Sequence, residues 1–180
     1  MPHADAGDRT KWTSDQDLRP LTDLGRAQAT MLAAAVGRVD AIVSSPARRC
    51  VETVEPIAAA SGAEIELDED LRELTYVTEH ESWDAWTLDP RWRAQLLAAA
   101  GLGRAIRTLA RIEESVGAGG RVAISAHGDL VPLFGLLAAG YFRVPAPVPA
   151  ARGGCYEIDP TNASRPIRTL GALVPRPDPA

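Results

Sequence analysis

The side chains best suited to chemistry fall just past short apolar runs. The run ending near Ser45 is followed by Pro46, Ala47, Arg48 and Arg49; the run ending near Leu67 by Asp68, Glu69, Asp70 and then Glu73; the run ending at Ala126 by His127 and Gly128. A guanidinium grips phosphate or carboxylate with paired donors. A carboxyl group moves protons, and an imidazole does so or acts as a nucleophile near neutral pH. A further histidine, His3, opens the sequence. Taken singly, each has an ordinary role: His127 as a structural histidine, Arg49 on a surface helix, Glu73 in a solvated acidic loop, His3 in a loose terminus. Only the joint pattern suggests a site. Cys50 and Cys155 are far apart and the histidines are scattered. That is not metal-ligand spacing, so the expectation is chemistry without metal or cofactor.

The elements that must position these groups are legible in the periodicity. Thr22 reads as an N-cap. Leu24, Ala27, Met31, Leu32, Ala35 and Val36 recur at helical spacing, so the pattern predicts a helix over 23–36 ended by Gly37. Val39–Ser45 is a short apolar run rich in β-branched residues and reads as a buried strand. Ala47–Ala60 reads as a helix that Pro56 should kink or shorten, and Ile65–Leu67 as a strand. Asp89-Pro90 is a helix start. The helical pattern runs through Ala100, breaks at Gly101 and Gly103, and resumes to about Val116. Arg121–Ala126 reads as a strand, Asp129–Ala139 as an apolar helix stopped by Gly140, Cys155–Ile158 as a last strand, and Ile167–Val174 as a strand or loose extension. Alternating strand and helix means an α/β three-layer sandwich, with a mostly parallel sheet and helices on both faces. In such sheets sites form beyond the carboxyl ends of the strands. Arg49, Glu73 and His127 then share one rim. One domain over 1–174 is expected, with 74–104 as a lid-like excursion carrying Trp83 and Trp86, and 175–180 as a disordered tail.

Composition narrows the function classes. The chain has 180 residues, 46% of them apolar, and a net charge of −5. An acidic balance argues against non-specific nucleic-acid binding. The apolar run Leu130–Phe142 is too short to span a bilayer and contains Pro132. No signal peptide is recognisable, and two cysteines do not make a disulfide framework. A cytoplasmic setting is the expectation. Lys11 is the only lysine among 19 basic residues; a GC-rich coding sequence explains that bias without naming a ligand.

The boxes in order resemble the histidine phosphatase superfamily, the phosphoglycerate-mutase-like proteins. His3-Ala4-Asp5-Ala6-Gly7-Asp8-Arg9 looks like its opening box. Arg19-Pro20-Leu21-Thr22, with Gly25 and Gln28-Ala29, is similar to the start of its first helix. Ser44-Ser45-Pro46-Ala47-Arg48-Arg49, with Glu52-Thr53 and Pro56, matches its second box; Leu71-Arg72-Glu73-Leu74 and Ser125-Ala126-His127-Gly128-Asp129 resemble the last two. The short boxes look most like the compact, phosphohistidine-phosphatase-like branch. The resemblance implies His3 as a nucleophile that becomes phosphorylated and Arg49 as a holder of phosphoryl oxygens. It implies His127 as a second phosphoryl-binding group and Glu73 as proton donor to the leaving oxygen, with Arg9 as a further contact. It also implies as partner a phosphorylated small molecule or a phosphohistidine protein, with neither nucleic acid nor membrane. Phosphoryl transfer of this kind needs alignment and positive charge more than covalent chemistry from the protein.

Two departures stand at the start. Pro2 occupies the place of the resembled family's opening arginine, and proline brings neither charge nor backbone donor. Only Met1 and Pro2 precede His3, where the pattern has an apolar strand. The N-terminal strand is therefore expected to be missing or truncated, with His3 poorly held. A gene start upstream would restore the strand; otherwise Ile167–Val174 or a second subunit in a dimer is expected to fill its slot, because bare sheet edges pair. Two functional readings follow: a metal-independent phosphatase impaired by Pro2, or a catalytically degenerate relative that binds a phosphorylated ligand or protein without turnover.

Overall fold

The computed structural model describes residues 1–74, 90–117 and 119–170, without the side chains of 90–94. Helix α1 (Asp23–Val36) starts at Thr22, whose hydroxyl accepts from the Gly25 N–H, and ends at Gly37. Strand β1 (Ala41–Ser44) leads into α2 (Arg48–Ser61), which runs through Pro56 instead of shortening there. Strand β2 (Ile65–Leu67) is followed by a 3-10 turn, Glu69–Leu71. Helix α3 (Pro90–Val116), strand β3 (Val122–Ser125), helix α4 (Val131–Phe142) and strands β4 (Cys155–Ile158) and β5 (Ile167–Leu170) complete the chain.

β1 is central and parallel to both neighbours, Ile42 opposite Ile65 and Ala123. Side chains alternate across a strand, and the core divides accordingly. Ile42 and Ala123 pack with Ala33 of α1 and with Val54 and Ile57 of α2. Val43, one residue on, packs with Leu71, Ala105 of α3, and Leu130, Val131 and Phe134 around α4. Helices thus cover both faces, as the alternating pattern predicted.

Several expectations need correction. α3 is one helix through Gly101 and Gly103. A Cβ on Gly101 would sit 2.6 Å from Leu133 Cδ1, so this glycine marks a close helix approach and not a break. α4 passes Gly140 and ends at Arg143, in the left-handed region with φ 55°. Ile167–Leu170 does not fill the slot beside β3; it pairs antiparallel with β4 in a separate two-stranded sheet. The slot is taken by the first residues themselves. Pro2 bridges Ala126 in parallel, the His3 N–H donates to Ala126 O at 2.9 Å and the Ala126 N–H to Met1 O at 3.0 Å. Of the lid-like excursion, 75–89 lies outside the described residues, including Trp83 and Trp86, and 90–104 opens α3. The tail 175–180 also lies outside them, as does 171–174. Among the described residues, no helix is long and apolar enough to cross a membrane.

Candidate active site

β1 and β3 end side by side, so the segments leaving them begin in contact. After β1, Ser45 and the Pro46-Ala47 turn place Arg49 in the first turn of α2. After β3, Ala126 is followed at once by His127. His3 extends along the same strand end. The imidazole rings of His3 and His127 lie edge to face, 5.6 Å between centroids. Arg49 Nη2 is 3.1 Å from His127 Nδ1, and Ser45 Oγ is 2.9 Å from His127 Nε2. A guanidinium only donates, so Nδ1 of His127 accepts and Nε2 carries the proton toward Ser45. His3 is fixed the other way round: its Nδ1 lies 2.8 Å from Ala4 O. A carbonyl only accepts, so Nδ1 is protonated and Nε2 keeps its lone pair.

His3 is better held than two preceding residues suggest. Besides the bonds to β3, the Ala4 N–H donates to Thr53 Oγ1 at 2.9 Å, and that hydroxyl donates to Arg49 O at 2.7 Å. The loop beyond rests on α1. The Asp5 N–H meets Gln28 Oε1, and Thr22 Oγ1 meets the Asp5 carboxylate. Gly25 makes this approach feasible, since a Cβ there would fall 2.0 Å from Asp5 O.

Burial sets the charge state of both rings. His3 falls to a pKa of about 4, chiefly by desolvation, with the nearby Arg49, Arg152 and Arg19 adding repulsion. His127 falls to about 3 by desolvation, then by Arg49 and His3. Both are neutral at physiological pH. Cys50 lies behind them, its Sγ 3.7 Å from His127 Nε2, and burial pushes its thiol up to about 12, so it stays protonated and inert.

Glu73 comes from the other side, past the 3-10 turn after β2. The Leu74 N–H donates to the Asp129 carboxylate at 2.7 Å, and Arg104 of α3 donates to the carbonyls of Asp70 and Arg72. These bonds tie the acid-bearing turn to the His127 box. Glu73 then reaches Arg9 at 3.0 Å and Arg49 at 3.5 Å. All four residues singled out in the sequence therefore converge, and Arg9 joins them.

A cleft of about 220 Å³ opens among these groups, lined by Pro2, His3, Arg9, Arg19, Glu73, Gly128, Asp129 and Arg152. Arg49 and His127 lie behind it, 1% and 2% exposed. Arg49 is braced by Gln16 O at 2.6 Å, leaving its Nε buried without a partner. Two cationic members were not assigned roles from the sequence. Arg19 is 4% exposed; its Nη1 donates to Ala6 O and Gly7 O, its Nε has no partner, and among the described residues it makes no ion pair. Its place in Arg-Pro-Leu-Thr was the available signal. Arg152 arrives from the loop before β4, 3.4 Å from Asp5 Oδ1, and nothing local marks it.

An α/β sheet with a guanidinium-rich cleft beside two neutral imidazoles is an architecture for handling an oxyanion. Residues 4–142 match the histidine phosphatase superfamily, branch 1, and the chain belongs to that family. The match begins just after His3. Among solved structures the fold is similar to Bacillus stearothermophilus YhfR, at TM-score 0.64 and 22% identity over 89% of this chain and 90% of that one. It is also similar to a mycobacterial glucosyl-3-phosphoglycerate phosphatase complexed with VO3, at TM-score 0.56 and 21% identity over 93% and 94%. A phosphoserine phosphatase from Entamoeba histolytica gives TM-score 0.56 and 18% identity over 79% and 78%. No functionally curated protein matches the sequence significantly.

Proposed function

We propose that the protein is a metal-independent phosphatase that hydrolyses a phosphomonoester or phosphoramidate through a phosphohistidine formed on His3. The observation that carries this reading is the state of His3: a neutral ring, its Nδ1 proton engaged by Ala4 O, its other nitrogen without a partner among the described residues, near the buried guanidinium groups of Arg49 and Arg19. His3 Nε2 attacks phosphorus as the bond to the leaving oxygen or nitrogen breaks. Glu73 is the proton donor to that atom. Water then attacks the phosphohistidine, the P–N bond breaks, and Glu73 takes the water proton back. Arg49 and Arg19 balance the charge on the non-bridging oxygens, and the neutral His127, which Arg49 bonds, helps to place that group.

Arg19 supports an anionic substrate on energetic grounds. Removing a charged group from water without a partner costs several kcal/mol. A bound phosphoryl group relieves that cost at Arg19 and at the unpartnered Arg49 Nε. A phosphorylated small molecule or phosphohistidine protein fits the same chemistry. Initial rates on a generic aryl phosphate test the reading, with His3→Ala compared against wild type. Turnover is expected to fall by at least ~10³-fold, the scale seen when a covalent nucleophile is removed. Equal rates reject the nucleophile, and vanadate binding by a wild type that shows no turnover identifies a binding protein instead.

A further inference from the structure

We propose that Arg152 is a phosphoryl-binding residue of this site, supplying from the loop before β4 the cation that Pro2, next to the nucleophile, cannot. The inference rests on the phosphatase reading above and assigns one more group to its substrate.

The wall of the cleft nearest His3 is poor in donors. Pro2 has neither an N–H nor a charge, and the His3 N–H is spent on Ala126 O. Arg152 lines the same cleft as Pro2 and His3. It is close enough that its charge adds to the repulsion that keeps the His3 ring neutral. Its guanidinium is not committed elsewhere among the described residues. The only hydrogen bond it makes among the described residues is the long one to Asp5, at 3.4 Å, and its side chain is 43% exposed. Donors therefore remain for an incoming oxyanion.

The backbone that carries Arg152 is held in place. Gly153 has φ +76° and packs on Gln28, where a Cβ would fall 2.9 Å from the side chain. Gln28 in turn accepts from the Asp5 N–H at 2.8 Å. The Gly154 N–H closes a turn onto Ala151 O at 2.9 Å, and the Ala150 N–H donates to the Tyr156 hydroxyl at 3.1 Å. Asp5, fixed by Thr22 Oγ1, is the tether that aims the guanidinium. Such a positioned cation, placed where charge builds on a transferring group, is what lowers a phosphoryl-transfer barrier.

The test uses orthovanadate and inorganic phosphate as probes of the full-length protein, by calorimetry, together with kcat/KM on phosphomonoesters that do and do not carry a second anionic group. Arg152→Ala is expected to weaken vanadate binding and to lower kcat/KM by on the order of 10²-fold. The factor should be the same for every monoester. Arg152→Lys should fall between, since it keeps the charge and loses the fork. Unchanged vanadate affinity in Arg152→Ala overturns the proposal, and so does a loss confined to esters with the second anion. Absence of vanadate binding and turnover in wild type defeats the phosphatase reading itself, a result distinct from wild-type binding that Arg152→Ala retains.

Discussion

Two clefts of similar size are lined with charge, one against β2 and α3 and the other beyond the ends of β1 and β3. The larger, about 270 Å³, lies between β2 and α3 against Asp68, Thr108 and Arg111. There Asp68, Thr108 and Arg111 answer one another inside the protein. Thr108 donates to Asp68 at 2.7 Å, Arg111 pairs with Asp68, and Arg107 donates to both oxygens of Asp70. The cleft at His3 is arranged oppositely. Among the described residues Arg19 has no carboxylate, the Nε atoms of Arg19 and Arg49 have no partner, and His3 Nε2 keeps its lone pair. Density of charge does not make a site; unanswered donors do. The β2–α3 network does structural work instead, fixing the turn that delivers Glu73.

The comparison can be broken most directly by removing one arginine from each cleft. Arg19→Ala is expected to weaken phosphate and vanadate binding by on the order of 10²-fold while leaving or raising thermal stability, because it deletes an unpaired buried charge. Arg111→Ala is expected to leave anion affinity unchanged and to destabilise by about 1–3 kcal/mol, because it leaves Asp68 short of a partner. Denaturant melts and vanadate titrations of the two variants decide the matter, and equal anion affinity in both would erase the distinction.

A smaller effect sharpens the link between the clefts. Asp129→Ala frees the Leu74 N–H and loosens the turn that holds Glu73. Loss of about tenfold is expected for alkyl phosphates, whose leaving oxygen needs a proton, and little loss for nitrophenyl phosphate, whose leaving group does not. A uniform loss across leaving groups would mean that Asp129 acts on the fold as a whole.

The smallest effect is on pH. Both histidines have folded pKa values below the ordinary 6.5, so the unfolded chain binds protons first as pH falls. Their contribution to stability is whole above about 6.5, declines as pH drops, and is lost by about 4 for His3 and about 3 for His127. Stability measured across that window should fall in wild type and fall less in His127→Ala.

Most of the frame was readable because its signals are local. β1 and β3 are β-branched runs, Thr22 and Gly37 bracket α1, and Arg49 and His127 follow directly from strand ends. What was not readable depends on contacts distant in sequence. Gly101 reads locally as a helix breaker, at roughly 1 kcal/mol against alanine, yet its close contact with Leu133 keeps α3 whole. Met1–His3 is too short to show a strand period, and its pairing exists only against Ile124 and Ala126. Arg152 sits in an unremarkable Ala-Arg-Gly-Gly stretch, and its relation to His3 exists only once β4 is placed.

Rapid alkaline quenching during turnover, followed by peptide mass mapping, tests the account most directly. A phosphoryl adduct on the peptide bearing His3, absent from His3→Ala, is the expected result. Turnover with no adduct, or with the adduct on another residue, would contradict it.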